Sequence, residues 1–224
     1  MKTVVRNAIS NTLLAIVTAF ALSNAHGADL TVEIRDARGR PVPDAVVVAT
    51  VPGTTRPGIP STPKPAVMDQ VDKAFVPAVL IVRTGTPVVF PNSDTVAHQV
   101  YSFSPAKRFE LPLYRGQAHP PIAFDRPGLV VLGCNIHDTM VGYIYVTDSP
   151  WFGKSDERGV LTLSSLPPAD YEVTIWSPRL PRADTTVIQS VSVKDPTPAL
   201  VRFHLQQVLR PDASPRLDAR IRDY

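Results

Sequence analysis

A short segment of this chain carries three side chains that could bind one metal ion. Cys134, His137 and Met140 form a Cys-x-x-His-x-x-Met pattern within seven residues, and His98 lies upstream of it. A thiolate and a thioether favour Cu(I), whereas imidazoles bind both Cu(I) and Cu(II), so this donor set suits an ion that changes oxidation state. The pattern therefore predicts a mononuclear copper site.

Side chains of these types are scarce in the rest of the chain. From Asp29 onwards there are one cysteine, two methionines and four histidines, and three of these seven lie in the heptapeptide Cys134–Met140. Apolar segments typical of strands flank this heptapeptide. The clustering favours a binding loop over a chance arrangement.

Other chemistry could use the same residues. A cysteine hydrolase would pair Cys134 with His137, but no second loop is typical of an oxyanion hole or a substrate cleft. Structural zinc needs four firm ligands, and Asp138 is a candidate for the fourth. Plain packing is the remaining alternative, with Cys134 as a buried thiol, His98 as a hydrogen-bonded core histidine and Met140 as an apolar side chain. No nucleotide-binding, zinc-protease or haem-attachment motif is present.

The pattern resembles that of the cupredoxins (blue copper proteins), and its loop length is closest to the amicyanin-like members. In that family an asparagine shortly precedes the first histidine, and Gly-Cys-x-x-His-x-x-Met follows near the end of the domain. The counterparts here are Asn92, His98 and the segment Gly133–Met140. The segments 90–104 and 133–140 also resemble cupredoxin-like proteins that are often labelled methylamine-utilisation or plastocyanin-like.

This resemblance implies a role for each residue. His98 and His137 would bind copper through imidazole nitrogens, Cys134 through its thiolate, and Met140 as a weak axial ligand. Asn92 would hydrogen-bond to the Cys134 loop and hold it closed. The site would be of type 1, with one copper ion per chain.

The function implied by the resemblance is single-electron transfer without catalysis, between redox partners such as a c-type cytochrome or a dehydrogenase. Two departures from the family pattern bear on this interpretation. Gln99 stands where many cupredoxins have asparagine, and Thr139 stands where relatives often have an aromatic residue, which would open the site to water. A copper delivery or storage protein and an open-site copper enzyme remain the alternatives.

Short strands are the elements that must position these ligands. The chain has 24 prolines in 224 residues, about twice the usual share of ~5%, and 44% hydrophobic residues. Because proline fixes φ and lacks an N–H donor, long helices are disfavoured and an all-β fold is predicted. The predicted strands are Leu30–Arg35, Ala45–Val51, Phe75–Val82, Pro87–Phe90, His98–Phe103, Ile122–Phe124, Leu129–Leu132, Val141–Val146, Val160–Leu163, Tyr171–Trp176, Thr186–Val193 and Leu200–Leu205.

Two segments far apart in the sequence resemble parts of one small β-sandwich, the carboxypeptidase-regulatory-like or transthyretin-like module. Asp36–Ala45 resembles its first hairpin, and Gly159–Tyr171 resembles a later part, although Ala169 stands where the family usually has glycine. Neither segment is long enough to bury a core alone. We therefore predict one discontinuous Ig-like or transthyretin-like sandwich from residues 29–51 and 156–207. Two sequential domains, or one larger sandwich, are the alternatives.

The remaining boundaries follow from composition. Residues 52–66 contain five prolines and predict an extended linker. Residues 67–147 are predicted to form a cupredoxin-like Greek-key sandwich that holds the copper site. Residues 208–224 are mostly charged and are predicted to form a mobile tail.

Residues 1–25 have the three parts of a secretory signal peptide: a basic start, an apolar run and small residues before Ala25. Cleavage after Gly27 or Ala28 would fit almost as well. This predicts a periplasmic protein without stable membrane insertion once the signal is removed, because no later apolar run is long enough to cross a membrane. Loss of Lys2 and Arg6 lowers the net charge from +3 to +1, which predicts no nucleic-acid partner.

Overall fold

The structure is a computed structural model that describes residues 27–54, 64–116, 119–182, 185–194 and 197–211. The predicted all-β class is confirmed, since the regular elements in these ranges are strands. No helix in these ranges is long and apolar enough to cross a membrane. The predicted signal peptide lies outside the described residues, as does most of the predicted linker.

Seventeen strands run through the described part of the chain. In chain order they are β1 Ala28–Arg35, β2 Val46–Thr50, β3 Ala66–Val67, β4 Asp69–Val71, β5 Ala74–Val76, β6 Val79–Arg83, β7 Thr86–Val89, β8 His98–Ser104, β9 Lys107–Tyr114, β10 Ile122–Phe124, β11 Gly128–Gly133, β12 Val141–Thr147, β13 Trp151–Lys154, β14 Val160–Leu166, β15 Ala169–Trp176, β16 Val187–Val193 and β17 Ala199–His204.

One sandwich is built from the two ends of the described chain. Its sheets have the strand orders β14-β1-β17 and β13-β2-β15-β16. Period-2 alternation turns Leu30, Val32 and Ile34 of β1 inwards, and each of these side chains is fully buried. They pack with Val173 and Ile175 of β15 in one apolar core. We call this unit the terminal sandwich.

The intervening residues form a second unit, which we call the ligand sandwich. Its large sheet has the order β6-β12-β11-β8-β9, and its small sheet has the order β10-β7-β3. The core between them contains Phe90 and Phe124, whose ring centroids lie 6.5 Å apart, together with Val100, Leu132 and Ile144. This arrangement is a cupredoxin-like Greek-key sandwich, and His98, Cys134 and His137 lie at one end of its large sheet.

The two sandwiches share a third apolar cluster. Trp176, at the end of β15, is 1% exposed and packs edge-on against Tyr143 of β12, with ring centroids 5.3 Å apart. Its ring also contacts Tyr145, and Val46 and Val48 of β2 complete this contact. Burial of these rings joins the outer face of the large sheet to the terminal sandwich.

The predicted strands omit β3, β4, β9 and β13 and join β5 to β6, and two of these errors have a physical reason. The predicted strand Phe75–Val82 is divided into β5 and β6 at Pro77, which lacks an N–H donor. Strand β9 was not predicted, because it is an edge strand with charged residues and Pro112 in its sequence. Edge strands tolerate both features, since one side of their backbone forms no ladder.

Residues 208–211, the first part of the predicted tail, pack against the terminal sandwich. Leu209 is 5% exposed and belongs to the core of the terminal sandwich. The Arg210 amide donates to the Arg179 carbonyl at 2.8 Å, and its guanidinium donates to the Pro181 carbonyl. Residues 212–224 lie outside the described part of the chain.

Candidate metal centre

The candidate ligands approach one another because two antiparallel strand pairs meet at one end of the large sheet. Strands β11 and β12 pair in register from Gly128 to Gly133, so residues 134–140 must form the loop that connects them. Strand β8 pairs with β11 through Tyr101 and Gly133, and it begins at His98. The sheet therefore brings His98 to the side of this loop.

The Tyr101 ring lies against Gly133 at the end of β11. A Cβ atom at Gly133 would lie 2.7 Å from the Tyr101 Cζ atom, which is closer than real Cβ contacts allow. A larger residue at this position would displace either the ring or the start of the Cys134 loop. Packing at the end of β11 thus fixes where the loop begins.

Three ligand atoms converge at this end of the ligand sandwich. The Cys134 Sγ atom lies 3.8 Å from His98 Nδ1 and 3.9 Å from His137 Nδ1. The three ligand atoms all lie within 4.8 Å of one another, and the two imidazole ring centroids are 5.0 Å apart. Among the described residues, this is the group of histidine, cysteine and carboxylate side chains whose spacing suits a metal ion.

These separations fit one ion bound by all three atoms. With bond lengths of about 2.3 Å to sulfur and 2.0 Å to nitrogen, a ligand–metal–ligand angle near 120° places S and N roughly 3.7 Å apart. The two observed sulfur–nitrogen distances are close to this value. A thiolate with two imidazoles is a donor set that copper binds well, so the residues present fit a copper ion.

Burial differs among the four candidate ligands. His98 is fully buried, and Cys134 and Met140 are 3% and 1% exposed, whereas His137 is partly exposed. Met140 packs in the same apolar cluster as Cys134, and its amide donates to the His137 carbonyl at 2.9 Å. The site therefore has a water-excluded interior and one imidazole that reaches the surface.

Asn92 does not have the hydrogen-bonding role that the resemblance implies. The Asn92 side-chain amide donates two hydrogen bonds near His98, one to the Val96 carbonyl at 3.0 Å and one to the Tyr114 carbonyl at 2.9 Å. Its Oδ1 atom accepts the Asp94 amide at 3.0 Å. Because its donors are used there, Asn92 supports the segment that leads to His98 instead of closing the Cys134 loop.

Asp94 is a residue of the site that the sequence analysis missed. Its Oδ2 atom lies 2.9 Å from His98 Nε2, and the two side chains are 6% and 0% exposed. Burial opposes ionisation, but hydrogen bonds from His98 and from the Lys73 and Thr95 amides hold the pKa of this carboxyl well below its ordinary value. The four-residue spacing to His98 was the available signal, but it has meaning only once the loop geometry is known.

Other residues discussed from the sequence differ in burial and in hydrogen-bond partners. Gln99 donates to the Glu110 carboxylate at 2.6 Å. Met68 is fully buried in the core of the ligand sandwich, and Asp138 and Thr139 are exposed. Thr139 therefore leaves this side of the loop open to solvent.

Comparisons with solved structures found copper proteins that align with less than half of this chain. A purple cupredoxin from Nitrosopumilus maritimus aligns with 37% of this chain and 99% of its own length, at 23% identity and a TM-score of 0.33. A copper-containing nitrite reductase from Thermus scotoductus SA-01 aligns with 43% of this chain and 26% of its own length, at 27% identity and a TM-score of 0.35. A reduced amicyanin variant aligns with 44% of this chain and 98% of its own length, at 20% identity and a TM-score of 0.34.

No family model matches the sequence, and no curated protein matches it significantly. TM-scores of this size do not by themselves establish a shared fold. The assignment of a cupredoxin-like sandwich to this chain rests on its strand pairing and on the position of its ligand loop.

Proposed function

We propose that this chain binds one mononuclear type 1 copper ion and carries single electrons between redox partner proteins in the periplasm. The observation that carries the proposal is the convergence of Cys134 Sγ with His98 Nδ1 and His137 Nδ1, at 3.8 and 3.9 Å. Bound copper supplies one-electron chemistry by alternating between Cu(I) and Cu(II). The methylamine-utilisation or plastocyanin-like group remains the subfamily that the sequence favours.

Burial of the ligands favours electron transfer over catalysis. Cys134, His98 and Met140 are all nearly inaccessible to solvent, and Met140 packs in the same apolar cluster as Cys134. A water-excluded site leaves little room for a substrate, and a fixed ligand set limits the rearrangement that accompanies a change of oxidation state. The chain is therefore proposed to be a carrier and not an enzyme.

The partly exposed imidazole of His137 is the proposed route for electrons into and out of the site. Exposed apolar side chains occur close to the candidate ligands in the sequence: Ile136 is 52% exposed, Val141 42% and Val96 36%. Leu113 adds a side chain that is 58% exposed, next to Tyr114, which pairs with His98 across β8 and β9. Such a surface suits the small, transient contacts of electron-transfer partners.

Tyr143 does not belong to this surface, although it lies only three residues after Met140. Its ring packs against Trp176 in the contact between the two sandwiches. The proposed partner, a c-type cytochrome or a dehydrogenase, would therefore dock around His137 and not on the face that the terminal sandwich covers.

The proposal is tested by loading the purified protein with Cu²⁺ and recording its visible spectrum and metal content. We expect one copper per chain and an intense charge-transfer band from the Cys134 thiolate. Copper bound without that band would contradict thiolate ligation and indicate an open site or a delivery protein. Absence of copper binding would overturn the proposal.

Two variants make the spectral test specific. Cys134→Ser should keep the fold and lose the band, because a hydroxyl cannot replace the thiolate. Met68→Leu is the matched control, since Met68 is a buried sulfur in the same core but is not part of the Cys-x-x-His-x-x-Met pattern. An unchanged spectrum in Cys134→Ser would exclude the proposed site.

A further inference from the structure

We propose that Asp94 is a positioning residue that fixes the His98 tautomer and favours the oxidised, Cu(II) state of the site. This inference rests on the proposed copper site. Its geometric basis is the contact between the two ring nitrogens of His98 and two different groups: Nε2 lies 2.9 Å from Asp94 Oδ2, and Nδ1 lies 3.8 Å from Cys134 Sγ.

The contact with Asp94 determines which nitrogen can bind a metal ion. A carboxylate only accepts hydrogen bonds, so the proton of a neutral His98 ring must be on Nε2. The lone pair is then on Nδ1, which faces Cys134. His98 is thus held in the tautomer that a ligand requires before any ion arrives.

Asp94 is itself held in place by the backbone. The Lys73 amide donates to its Oδ2 atom at 2.7 Å, and the Thr95 amide donates to its Oδ1 atom at 2.6 Å. Lys73 and Asp72 have φ values of 60° and 48°, which turn the chain sharply between β4 and β5. This hairpin therefore presents an N–H group to the carboxylate, which cannot rotate away from the imidazole without losing it.

A second carboxylate of the same hairpin, that of Asp69, contacts Ser93, the residue before Asp94. Asp69 accepts the Ser93 hydroxyl at 2.8 Å and the Ser93 amide at 3.2 Å. Asp69 therefore supports the same loop as Asp94, but its hydrogen-bond partners in the described part of the chain are Gln70 and Ser93, which are not candidate metal ligands. Of these two carboxylates, Asp94 is the one that contacts His98.

A buried negative charge on the far side of the imidazole stabilises Cu(II) more than Cu(I). The carboxylate makes the ring a stronger donor, and its charge attracts a divalent ion more strongly than a monovalent one. Asp94 should therefore lower the reduction potential of the site and strengthen its affinity for divalent ions generally.

The first test is made on the metal-free wild-type protein. Nitrogen-15 NMR of the histidine rings should show His98 as the Nε2–H tautomer, with an Nε2 proton that exchanges slowly with water. The signal is assigned by its absence from a His98→Gln variant. An Nδ1–H tautomer for His98 would overturn the inference, whatever the outcome for copper.

The second test compares Asp94→Asn with Asp69→Asn, each of which removes one carboxylate that forms hydrogen bonds in the loop before β8. In Asp94→Asn we expect affinity for Zn²⁺ and Cu²⁺ to fall about 10- to 100-fold. We expect Cu(I) affinity to fall at least tenfold less, and a tenfold difference corresponds to a potential about 59 mV higher. Asp69→Asn should change both affinities by less than about threefold, because its carboxylate does not touch a ligand.

The outcomes separate this inference from the proposed function. If wild-type protein binds no copper, the proposed function fails while the NMR tautomer still tests Asp94. If wild-type protein shows the thiolate band and Asp94→Asn leaves the potential and the Zn²⁺ affinity unchanged, the role of Asp94 is overturned. Equal shifts in both variants would also overturn it, because they would reflect loop stability instead of contact with His98.

Discussion

The two sandwiches use a buried aspartate in similar ways but to different ends. In the terminal sandwich, Asp36 accepts the Arg38 and Arg40 amides at 2.8 and 2.9 Å and closes the turn after β1. In the ligand sandwich, Asp94 accepts the Thr95 amide and also contacts His98. The same side-chain chemistry therefore stabilises a turn in one unit and orients a candidate ligand in the other.

The terminal sandwich repeats its turn and places the two copies side by side. Asp156 accepts the Arg158 and Val160 amides in a second Asp-x-Arg-Gly turn, and the amide of Ile34 donates to the Gly159 carbonyl at 2.8 Å. Both turns end in a glycine with positive φ. The comparison shows that turn chemistry alone does not reveal function, which depends on the side chain that the aspartate faces.

The largest loss of stability is expected when the contact that joins the two sandwiches is removed. Trp176→Ala should lower the free energy of unfolding by about 3–5 kcal/mol, because it removes a fully buried aromatic side chain between the sandwiches. Chemical denaturation followed by tryptophan fluorescence and by circular dichroism would measure it. Ile188→Ala is the control, because Ile188 is an exposed residue of the same sheet. A loss below about 1 kcal/mol in Trp176→Ala would show that the units are stable independently.

The next largest loss of stability should differ between the two Asp-x-Arg-Gly turns of the terminal sandwich. Gly159→Ala should lower the free energy of unfolding more than Gly39→Ala does, although the two glycines have nearly equal φ values of 72° and 73°. A Cβ atom at Gly159 would lie 2.5 Å from the Ile34 carbonyl oxygen, whereas a Cβ atom at Gly39 would meet no atom within 4 Å. We expect about 1–2 kcal/mol for Gly39→Ala, from the left-handed backbone alone, and a larger loss for Gly159→Ala. Equal losses by urea denaturation would contradict the packing role of Gly159.

Acid should weaken the terminal sandwich through Asp36. Burial opposes ionisation of Asp36, but hydrogen bonds from Arg40 and Arg38 lower its pKa in the folded protein. A lowered folded pKa contributes stability above the unfolded pKa of about 3.9, and this stability is lost as the pH falls through the folded value. Asp36→Asn should therefore lower the free energy of unfolding by about 1–2 kcal/mol at pH 7, and by less at pH 3.

Urea denaturation of wild type and Asp36→Asn at both pH values measures this difference. Asp29→Asn is a suitable control, since the Asp29 carboxylate accepts one exposed amide, that of Ser165, at 3.2 Å. A cost for Asp36→Asn that is the same at pH 7 and pH 3 would show that its charge is unimportant to the fold.

The smallest effect on stability should accompany a clear effect on function. Ile136→Ser and Phe103→Ser remove side chains that are 52% and 70% exposed, and each should change the free energy of unfolding by no more than about 0.5 kcal/mol. Only Ile136 adjoins His137, so only Ile136→Ser should slow electron self-exchange of the copper-loaded protein, by several-fold. Equal rates in the two variants would place the electron route elsewhere on the ligand sandwich.

Much of the architecture was predictable because local patterns are strong in this chain. Alternating apolar residues predicted β1, short strand-like segments predicted β8 and β12, and the scarcity of cysteine and methionine singled out the loop from Cys134 to Met140. Strand β9 escaped prediction because charged residues and Pro112 are tolerated at a sheet edge, which cannot be recognised before the sheet is assembled.

The sequence by itself determined the all-β class and the side-chain types available for a metal site. Composition and short-range spacing contain that information, since strand alternation and a seven-residue loop are local properties. Only the tertiary structure decided that His98 reaches Cys134, that Asn92 supports the His98 segment, and that Asp94 contacts the far side of the imidazole. These relations depend on the pairing of β8 with β11 and on the hairpin between β4 and β5, which bring together residues far apart along the chain.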